Sequence, residues 1–263
     1  MTERDWIELP QGRLHYWKFG RGPELLLAFH GFGEDGHAFA TWAEALDKKW
    51  TVLAPDLPWH GQTVWEPPVW KRPDALQWID KLTDRHPAQH FHCVGYSMGG
   101  RLALSLTPEL GDRLTGVTLF APDGLATRDM WVASRIPAWF RRGLTRISRP
   151  GGKWALRIAE RAYSLGIMSG FGLKYLRYHW TNEARRLRMM HTWAAMGHFP
   201  VRPAQIKLAL RKGKIPLRLV LGEKDDMIKR EEALRFTRNI EQAECIIIPT
   251  DHRLISAETA VYF

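Results

Sequence analysis

The chain has 263 residues, 45% of them hydrophobic, and a formal net charge of +10. These values predict a globular protein with one core domain and a large buried sheet. No apolar run reaches the roughly 18 residues of a membrane span. The first twenty residues lack the charged start and apolar centre of a secretion signal, so we expect a cytoplasmic protein.

Apolar segments alternate with helical segments along most of the chain. Strands are predicted near residues 6–9, 14–19, 24–29, 50–54, 90–95, 115–121, 216–221 and 244–248, and helices near 38–47, 71–85, 98–107 and 230–240. The first two strands are expected to form a hairpin that turns at Pro10-Gln11-Gly12. The alternation predicts an α/β fold with a doubly wound, mostly parallel, eight-stranded sheet flanked by helices.

A long segment separates the sixth and seventh predicted strands. Residues 123–214 form this segment, whereas one crossover connection needs little more than a dozen residues. We therefore predict a helical cap inserted after strand 6. The two parts of the core are then residues 1–122 and 215–263.

The predicted cap is strongly basic. It carries 19 basic and 4 acidic residues, a net charge of +15, which leaves −5 for the rest of the chain. Aromatic residues are interleaved with this charge: Trp131, Trp139, Phe140, Trp154, Tyr163, Phe171, Tyr175, Tyr178, Trp180, Trp193 and Phe199. Such a segment predicts contact with an anionic membrane, or attraction of a substrate with an anionic group. The alternative is that the arginines form a solvated face and the aromatic rings pack on the core. No nucleic-acid motif accompanies the charge, so we expect no nucleic-acid partner.

A serine lies in a glycine-rich junction between two apolar runs. GYSMGG occupies Gly95–Gly100, after a run that ends at Val94 and before a helical run that begins at Leu102. A strand followed at once by a helix, with small residues around the serine, is typical of a sharp turn that exposes a nucleophile. Ser97 is therefore the predicted nucleophile.

Two backbone amides are predicted to bind the oxyanion of such a reaction. Met98 begins the helix after the serine, where backbone amides have no acceptor within the helix. The strand near 24–29 opens into His30-Gly31-Phe32-Gly33, a glycine-rich turn that can present the amide of Phe32. Phe32 and Met98 are the predicted oxyanion-hole donors.

The acid and the base of a catalytic triad are expected in loops that follow later strands. Asp225 follows the strand near 216–221 and His252 follows the strand near 244–248, which gives the order Ser97, Asp225, His252. His252 is the predicted general base. For the acid, we rank Asp225 before Asp123, which follows an earlier strand, and before its own neighbour Asp226.

The first glycine-rich turn also fits a second pattern. Residues 31–36 spell GxGxxG, and Asp56 lies 20 residues beyond the last glycine, as in a dinucleotide site. Against that interpretation, Glu34 and Asp35 place two negative charges where a pyrophosphate must lie, and GYSMGG is left unexplained. We therefore expect no NAD and, by spacing, no metal. Asp56 and His30 are expected to tie loops together through hydrogen bonds.

These motifs together resemble the α/β-hydrolase family, in its serine-nucleophile branch. The resemblance rests on HGFG at 30–33, DLPWHG at 56–61, GYSMGG at 95–100, GEKD at 222–225 and the late histidine. Trp59 stands where the family usually has glycine, and Thr250-Asp251 stands where small residues often precede the histidine. The resemblance implies a triad of Ser97, His252 and Asp225, and no cofactor.

Several activities occur within that branch of the family. The aromatic cap favours a hydrophobic acyl or aryl substrate, and its arginines leave room for a carboxylate or phosphate on the same small molecule. We expect a carboxylic ester hydrolase of the carboxylesterase or lipase type. A carbon–carbon bond hydrolase is the second expectation. Thioester hydrolysis, lyase chemistry and low-turnover ligand binding on the same fold stay open.

Overall fold

The computed structural model describes residues 2–86, 88–125, 153–168 and 170–263. Within these ranges one sheet contains nine strands. They are β1 (Thr2–Leu9), β2 (Gly12–Phe19), β3 (Glu24–Phe29), β4 (Trp50–Pro55), β5 (Val64–Trp65), β6 (Phe91–Tyr96), β7 (Leu114–Phe120), β8 (Leu217–Gly222) and β9 (Ala243–Ile248).

The sheet is antiparallel at one end and parallel elsewhere. Its order is β1-β2-β4-β3-β6-β7-β8-β9, and β5 pairs with β2. Strands β1 and β2 form the predicted hairpin, with Leu9 opposite Gly12, and β2 is also antiparallel to β4. All pairs from β4 to β9 are parallel. The predicted fold class is confirmed, and β5 is the strand that the sequence pattern did not indicate.

The described chain also contains eight α-helices. They are α1 (Ala43–Leu46), α2 (Arg72–Arg85), α3 (Met98–Leu110), α4 (Lys153–Ser164), α5 (Gly170–Trp180), α6 (Glu183–Met196), α7 (Pro203–Lys212) and α8 (Arg230–Thr237). Two longer 3₁₀ helices occupy Gly36–Trp42 and Ala257–Tyr262. The helix predicted at 38–47 is therefore mostly 3₁₀, and the Asp35 carboxylate caps its first turn by accepting from the His37 amide at 2.9 Å.

The chain divides into two compact units. One comprises Met1–Met130 with His198–Phe263, and the other is Trp131–Gly197. The second unit lies inside the segment predicted as a cap, whose role stays a prediction. Many residues of that prediction lie outside the described residues: Arg128, Asp129, Trp131, Arg135, Trp139, Phe140, Arg141, Arg142, Arg146 and Arg149. Among the described helices, none has the length and apolar character required to cross a bilayer.

The core of the first unit explains how the sheet positions its loops. Strand β3 is buried from Leu25 to Phe29, and all residues of α3 except Pro108 and Glu109 are buried. Such continuous apolar runs are typical of strands covered on both faces. Because neighbouring parallel strands end at one edge, the loops after β3, β6, β8 and β9 meet there.

Candidate active site

Ser97 lies at a strained turn between β6 and α3. Its φ is 50° and its ψ −112°, a left-handed conformation that costs a non-glycine residue about 1–3 kcal/mol. Backbone hydrogen bonds hold it there. The Ser97 amide donates to the Phe120 carbonyl at 2.9 Å, and its carbonyl accepts from the amides of Asp123 at 2.9 Å and Arg101 at 3.2 Å. The turn is thus fixed by β7 and by the first turn of α3.

The glycines around Ser97 allow the helix to lie directly against the strands. A Cβ atom at Gly99 would lie 2.0 Å from the Phe29 carbonyl oxygen. One at Gly95 would lie 2.5 Å from the Gly99 oxygen, and one at Gly100 would lie 2.6 Å from the Pro122 side chain. These contacts are far too short for a side chain, so the motif needs glycine at all three positions.

Three predicted residues meet at this turn. The hydroxyl of Ser97 lies 3.1 Å from Nε2 of His252, and Nδ1 of His252 lies 2.7 Å from the Asp225 carboxylate. An ionised carboxylate only accepts hydrogen bonds, so Nδ1 carries the proton and Nε2 is left to accept from the serine hydroxyl. A histidine held in this way is able to take a proton from a serine hydroxyl.

The environment of Asp225 keeps it ionised. Its side chain is fully buried, and its second oxygen accepts from the amides of Met227 at 2.8 Å and Ile228 at 3.0 Å. Burial raises the pKa of Asp225, but the hydrogen bonds from His252, Ile228 and Met227 together hold it below the usual range. Asp225 can therefore orient the imidazole as a charged acceptor.

The turn after β3 contains Phe32, the other predicted amide donor. The Glu34 amide donates to the Gly31 carbonyl at 3.3 Å, and Gly33 has a φ of 84°, the value of the third residue in a type II turn. Met98 is the first residue of α3, so its amide has no acceptor within the helix. That Phe32 and Met98 share one oxyanion stays a prediction.

The sequence profile of the alpha/beta hydrolase fold matches residues 24–256. That range includes the serine turn, the acid and the histidine. The chain belongs to the alpha/beta hydrolase fold family. The expected resemblance is therefore confirmed at the level of the family and its fold.

Individual relatives of this alpha/beta hydrolase are named for different activities. An acetyltransferase component of the acetoin cleaving system of Cupriavidus necator, described as acting on a dihydrolipoyllysine residue, is 32% identical over 112 residues, 43% of this chain and 30% of that protein. A pimeloyl-[acyl-carrier protein] methyl ester esterase of Chromobacterium violaceum is 33% identical over 110 residues, 42% of this chain and 41% of that protein. The chain thus spans less than two thirds of the length of these curated relatives.

A solved structure shows the same fold over the whole chain. The thioesterase domain from the curacin biosynthetic pathway superposes with a TM-score of 0.69 and 20% identity, covering 100% of this chain and 98% of that domain. At this identity the likeness establishes the fold alone.

The side chains of the other two candidate acids of the hydrolase have different surroundings. Asp123 accepts from Arg101 at 3.3 Å, and the Arg101 side chain is 4% exposed and also donates to the Phe199 carbonyl at 3.0 Å. Asp226 is exposed. Of the three aspartates, Asp225 is the one that contacts His252.

His30 and Asp56 are both buried and tie loops together, as expected. Nε2 of His30 accepts from the Leu57 amide at 2.9 Å, so Nδ1 carries the proton and donates to the Gly31 carbonyl at 2.8 Å. Asp56 accepts from Nδ1 of His15 at 2.8 Å. The two side chains therefore join the turn after β3 to the loop after β4.

The geometry of the GxGxxG segment also disfavours a dinucleotide. The Asp56 carboxylate, which would bind a ribose, accepts instead from the amides of Gly36 at 2.9 Å and Gln62 at 2.7 Å. The Glu34 carboxylate accepts from the Gly31 amide at 3.2 Å, so a negative charge already occupies this turn. Across the described ranges, no three His, Cys, Asp or Glu side chains are grouped as a metal site.

Sequence reasoning missed two residues beside the triad. The Tyr96 hydroxyl donates to the His252 carbonyl at 3.0 Å, and the two rings lie 5.5 Å apart. The sequence pattern indicates Glu34 only as a negative charge that opposes a bound phosphate. In the structure, the charge of His252 lowers the pKa of Glu34, which places the two residues near one another. The position of Tyr96 directly before the nucleophile was a signal, but the direction of its ring depends on the strained turn.

Proposed function

We propose that the chain is a serine hydrolase that cleaves carboxylic esters of hydrophobic acyl or aryl substrates. The observation that carries this proposal is the chain of contacts from Ser97 through His252 to Asp225, 3.1 Å and 2.7 Å long. It lies in a member of the alpha/beta hydrolase fold family. The predicted triad is thereby the proposed catalytic machinery.

The first step is attack by the serine. Nε2 of His252 takes the hydroxyl proton as Ser97 Oγ bonds to the acyl carbon, and the carbonyl π-electron pair moves to its oxygen. The imidazolium that forms is stabilised by the buried Asp225 carboxylate. When the tetrahedral intermediate collapses, Nε2 returns the proton to the leaving alcohol and an acyl-serine is left.

The second step regenerates the serine. A water molecule gives a proton to Nε2, its oxygen bonds to the acyl carbon, and the same proton then returns to Ser97 as the acid leaves. The amides of Phe32 and Met98 are proposed to bind the oxyanion in both steps. One such donor is worth about 10²–10³ in turnover.

The substrate class rests on indirect support. One relative carries the name of a methyl ester esterase, although the match covers 42% of this chain. The aromatic residues of segment 123–214 favour an apolar acyl or aryl group, and its net charge of +15 favours an anionic group on the same molecule. A small-molecule ester with both features is the proposed substrate.

A series of p-nitrophenyl esters, from acetate to palmitate, tests the proposal. Wild type is expected to hydrolyse at least one ester, and Ser97→Ala to lose activity by several orders of magnitude. Ser164→Ala, at an exposed serine of α4, is the matched control and should retain wild-type turnover. Equal turnover by wild type and Ser97→Ala would refute a serine mechanism.

The alternatives are separated by substrate. Acyl-CoA hydrolysis, followed by a thiol reagent, tests the thioesterase alternative with the same variants. A folded wild type that cleaves neither oxygen esters nor thioesters would overturn the proposal in favour of carbon–carbon hydrolysis, lyase chemistry or ligand binding. Neither thioester hydrolysis nor the absence of hydrolysis would change the assignment to the alpha/beta hydrolase fold family, because one fold supports many activities.

A further inference from the structure

Glu34 closes the turn that holds the proposed oxyanion donor. Its carboxylate accepts from the Gly31 amide at 3.2 Å, while its own amide donates to the Gly31 carbonyl at 3.3 Å. The two hydrogen bonds join the ends of a four-residue turn with Phe32 inside it. The carboxyl oxygen therefore helps to determine the direction of the Phe32 amide.

The same carboxylate lies beside the triad. A Cβ atom at Gly31 would lie 2.7 Å from the Tyr96 ring and 3.2 Å from the Glu34 carboxylate, so both side chains cover that glycine. Tyr96 in turn donates to the His252 carbonyl. Within the described parts of the chain, no lysine or arginine lies within 4.0 Å of the Glu34 carboxylate.

Charged groups act on this carboxylate and on Tyr96 next to it. Asp35 on the same turn and His252 after β9 act on Glu34 itself, whereas Asp225 after β8 and Asp251 and Arg253 after β9 act on Tyr96 at the end of β6. Burial raises the pKa of Glu34, the Gly31 amide and His252 lower it, and Asp35 raises it, with a net upward shift. Glu34 thus titrates above the ordinary range of a glutamate.

We propose that Glu34 is a positioning residue of the hydrolytic reaction: its carboxyl oxygen holds the Phe32 turn, and its charge stabilises the His252 imidazolium. The inference rests on the proposed function. A carboxylate near an imidazole favours the protonated ring, and that ring forms whenever Ser97 loses its proton. The two effects can be separated by substitution.

Glu34→Gln keeps an acceptor oxygen and removes the charge, whereas Glu34→Ala removes both. For Glu34→Gln we expect kcat above pH 8 within about three-fold of wild type, and the acidic limb of the pH profile about half a pH unit lower. For Glu34→Ala we expect kcat about 10-fold or more lower, because the oxyanion donor is displaced. Glu8→Gln, at an exposed glutamate of β1, should leave both unchanged.

Covalent labelling of Ser97 by a fluorophosphonate ester supplies a readout besides turnover. Its rate should fall in Glu34→Ala and follow the shifted profile in Glu34→Gln. Wild-type kcat and labelling in Glu34→Ala, or an unshifted profile in Glu34→Gln, would overturn the inference. A wild type that is neither active nor labelled would overturn the proposed function itself, and labelling without ester turnover would still test Glu34.

A second inference comes from an independent feature, an exposed apolar face on α4. Ile158 on the helix is 61% exposed, and Leu165 and Ile167 just after it are 65% and 77% exposed. Arg157 and Arg161 are exposed beside them. Residues 157, 158 and 161 share one side of α4 by their spacing, and Leu165 continues that side because its amide donates to the Arg161 carbonyl at 3.1 Å. Single exposed apolar residues are ordinary, but a cluster bordered by arginines is typical of a membrane-binding surface.

We infer that this α4 face binds the surface of a bilayer that contains anionic lipid. The charge of the unit supports this partner: residues 153–197 contain eight basic and two acidic residues. One of the two, Glu160, is paired with Arg177 at 2.7 Å. The apolar side chains would enter the interface and the arginines would contact lipid phosphates.

Co-sedimentation with phosphatidylcholine vesicles, with and without about a third of phosphatidylglycerol, tests the surface. We expect binding to the anionic vesicles, at least about five-fold weaker for Ile158→Ser/Leu165→Ser and for Arg157→Gln/Arg161→Gln. Leu208→Ser, at a leucine of α7 that is 62% exposed, is the control and should bind like wild type. No binding by wild type, equal binding by the double variants, or a dimer that Ile158→Ser/Leu165→Ser dissolves would overturn the inference.

Discussion

A comparison of Asp225→Asn with Asp123→Asn tests whether Asp225 or Asp123 is the acid of the triad. Asp225 accepts from Nδ1 of His252 at 2.7 Å. The asparagine amide can donate to that nitrogen and thereby stabilises the tautomer whose Nε2 carries the proton. Such a ring cannot accept from Ser97, so we expect kcat to fall about 10⁴-fold while the fold is retained.

Asp123→Asn should affect stability rather than turnover. Asp123 accepts from Arg101, whose side chain is 4% exposed. Removing one partner of a buried ion pair costs about 3–5 kcal/mol. The Asp123 side chain, however, is 37% exposed, so water screens the pair. We therefore expect a loss of about 1–2 kcal/mol in the free energy of unfolding, between the buried and exposed limits, and kcat within about ten-fold of wild type.

The assay combines the best p-nitrophenyl ester with urea unfolding of each variant. Activity is measured well below the unfolding midpoint, so that a less stable variant is still folded during the assay. Loss of turnover in Asp123→Asn with an intact fold, together with full turnover in Asp225→Asn, would refute the assignment of Asp225 as the acid. In that case Asp123 would be the acid despite its contact with Arg101.

Three further predictions concern stability. Ser97→Gly should be about 1 kcal/mol more stable than Ser97→Ala in urea unfolding, because glycine relieves the φ of 50°, and both should be inactive; equal stability would argue against strain. Gly99→Ala should cost about 1–3 kcal/mol or more by overpacking against Phe29, and more than Gly170→Ala, where the nearest atom to a Cβ lies 3.6 Å away. Burial, together with the charges of Arg218 and Lys49, lowers the pKa of His92 to about 3. The unfolded chain therefore binds the proton first, and stability should fall as the pH drops from about 6.5 to 3, by about 2 kcal/mol at pH 5. His92→Gln should remove that loss in unfolding curves at pH 7 and 5, whereas the exposed His90→Gln should not.

The central strands were predictable because burial on both faces produces an uninterrupted apolar run. Residues 25–29 of β3 are all buried, and they form the uninterrupted apolar run that a covered parallel strand requires. Strand β5 was missed because two residues have no periodicity. Its pairing with β2 depends on Gly12, because a Cβ atom there would lie 2.2 Å from the Val64 carbonyl oxygen.

Candidate site residues were predictable where their position after a strand indicates their role. Ser97 and His252 could be selected because Ser97 directly follows the mostly buried strand β6 and His252 lies in the loop after β9, and parallel strands of one sheet end at the same edge. Glu34 could not be selected in this way. Its place near Tyr96 and His252 follows from the type of turn after β3 and from the direction of the Tyr96 ring before the strained Ser97 turn. Neither feature produces a periodic pattern in the sequence.

The choice between Asp225 and Asp123 shows why order alone does not assign the acid. Both follow parallel strands, β8 and β7, which are neighbours in the sheet. The difference between the two aspartates comes from a residue in the first turn of α3. Arg101 lies there because the helix begins at the serine turn, and its buried guanidinium needs an anion, which Asp123 supplies. Arg101, which directly follows GYSMGG, thus pairs with Asp123, and Asp225 is the carboxylate that contacts His252.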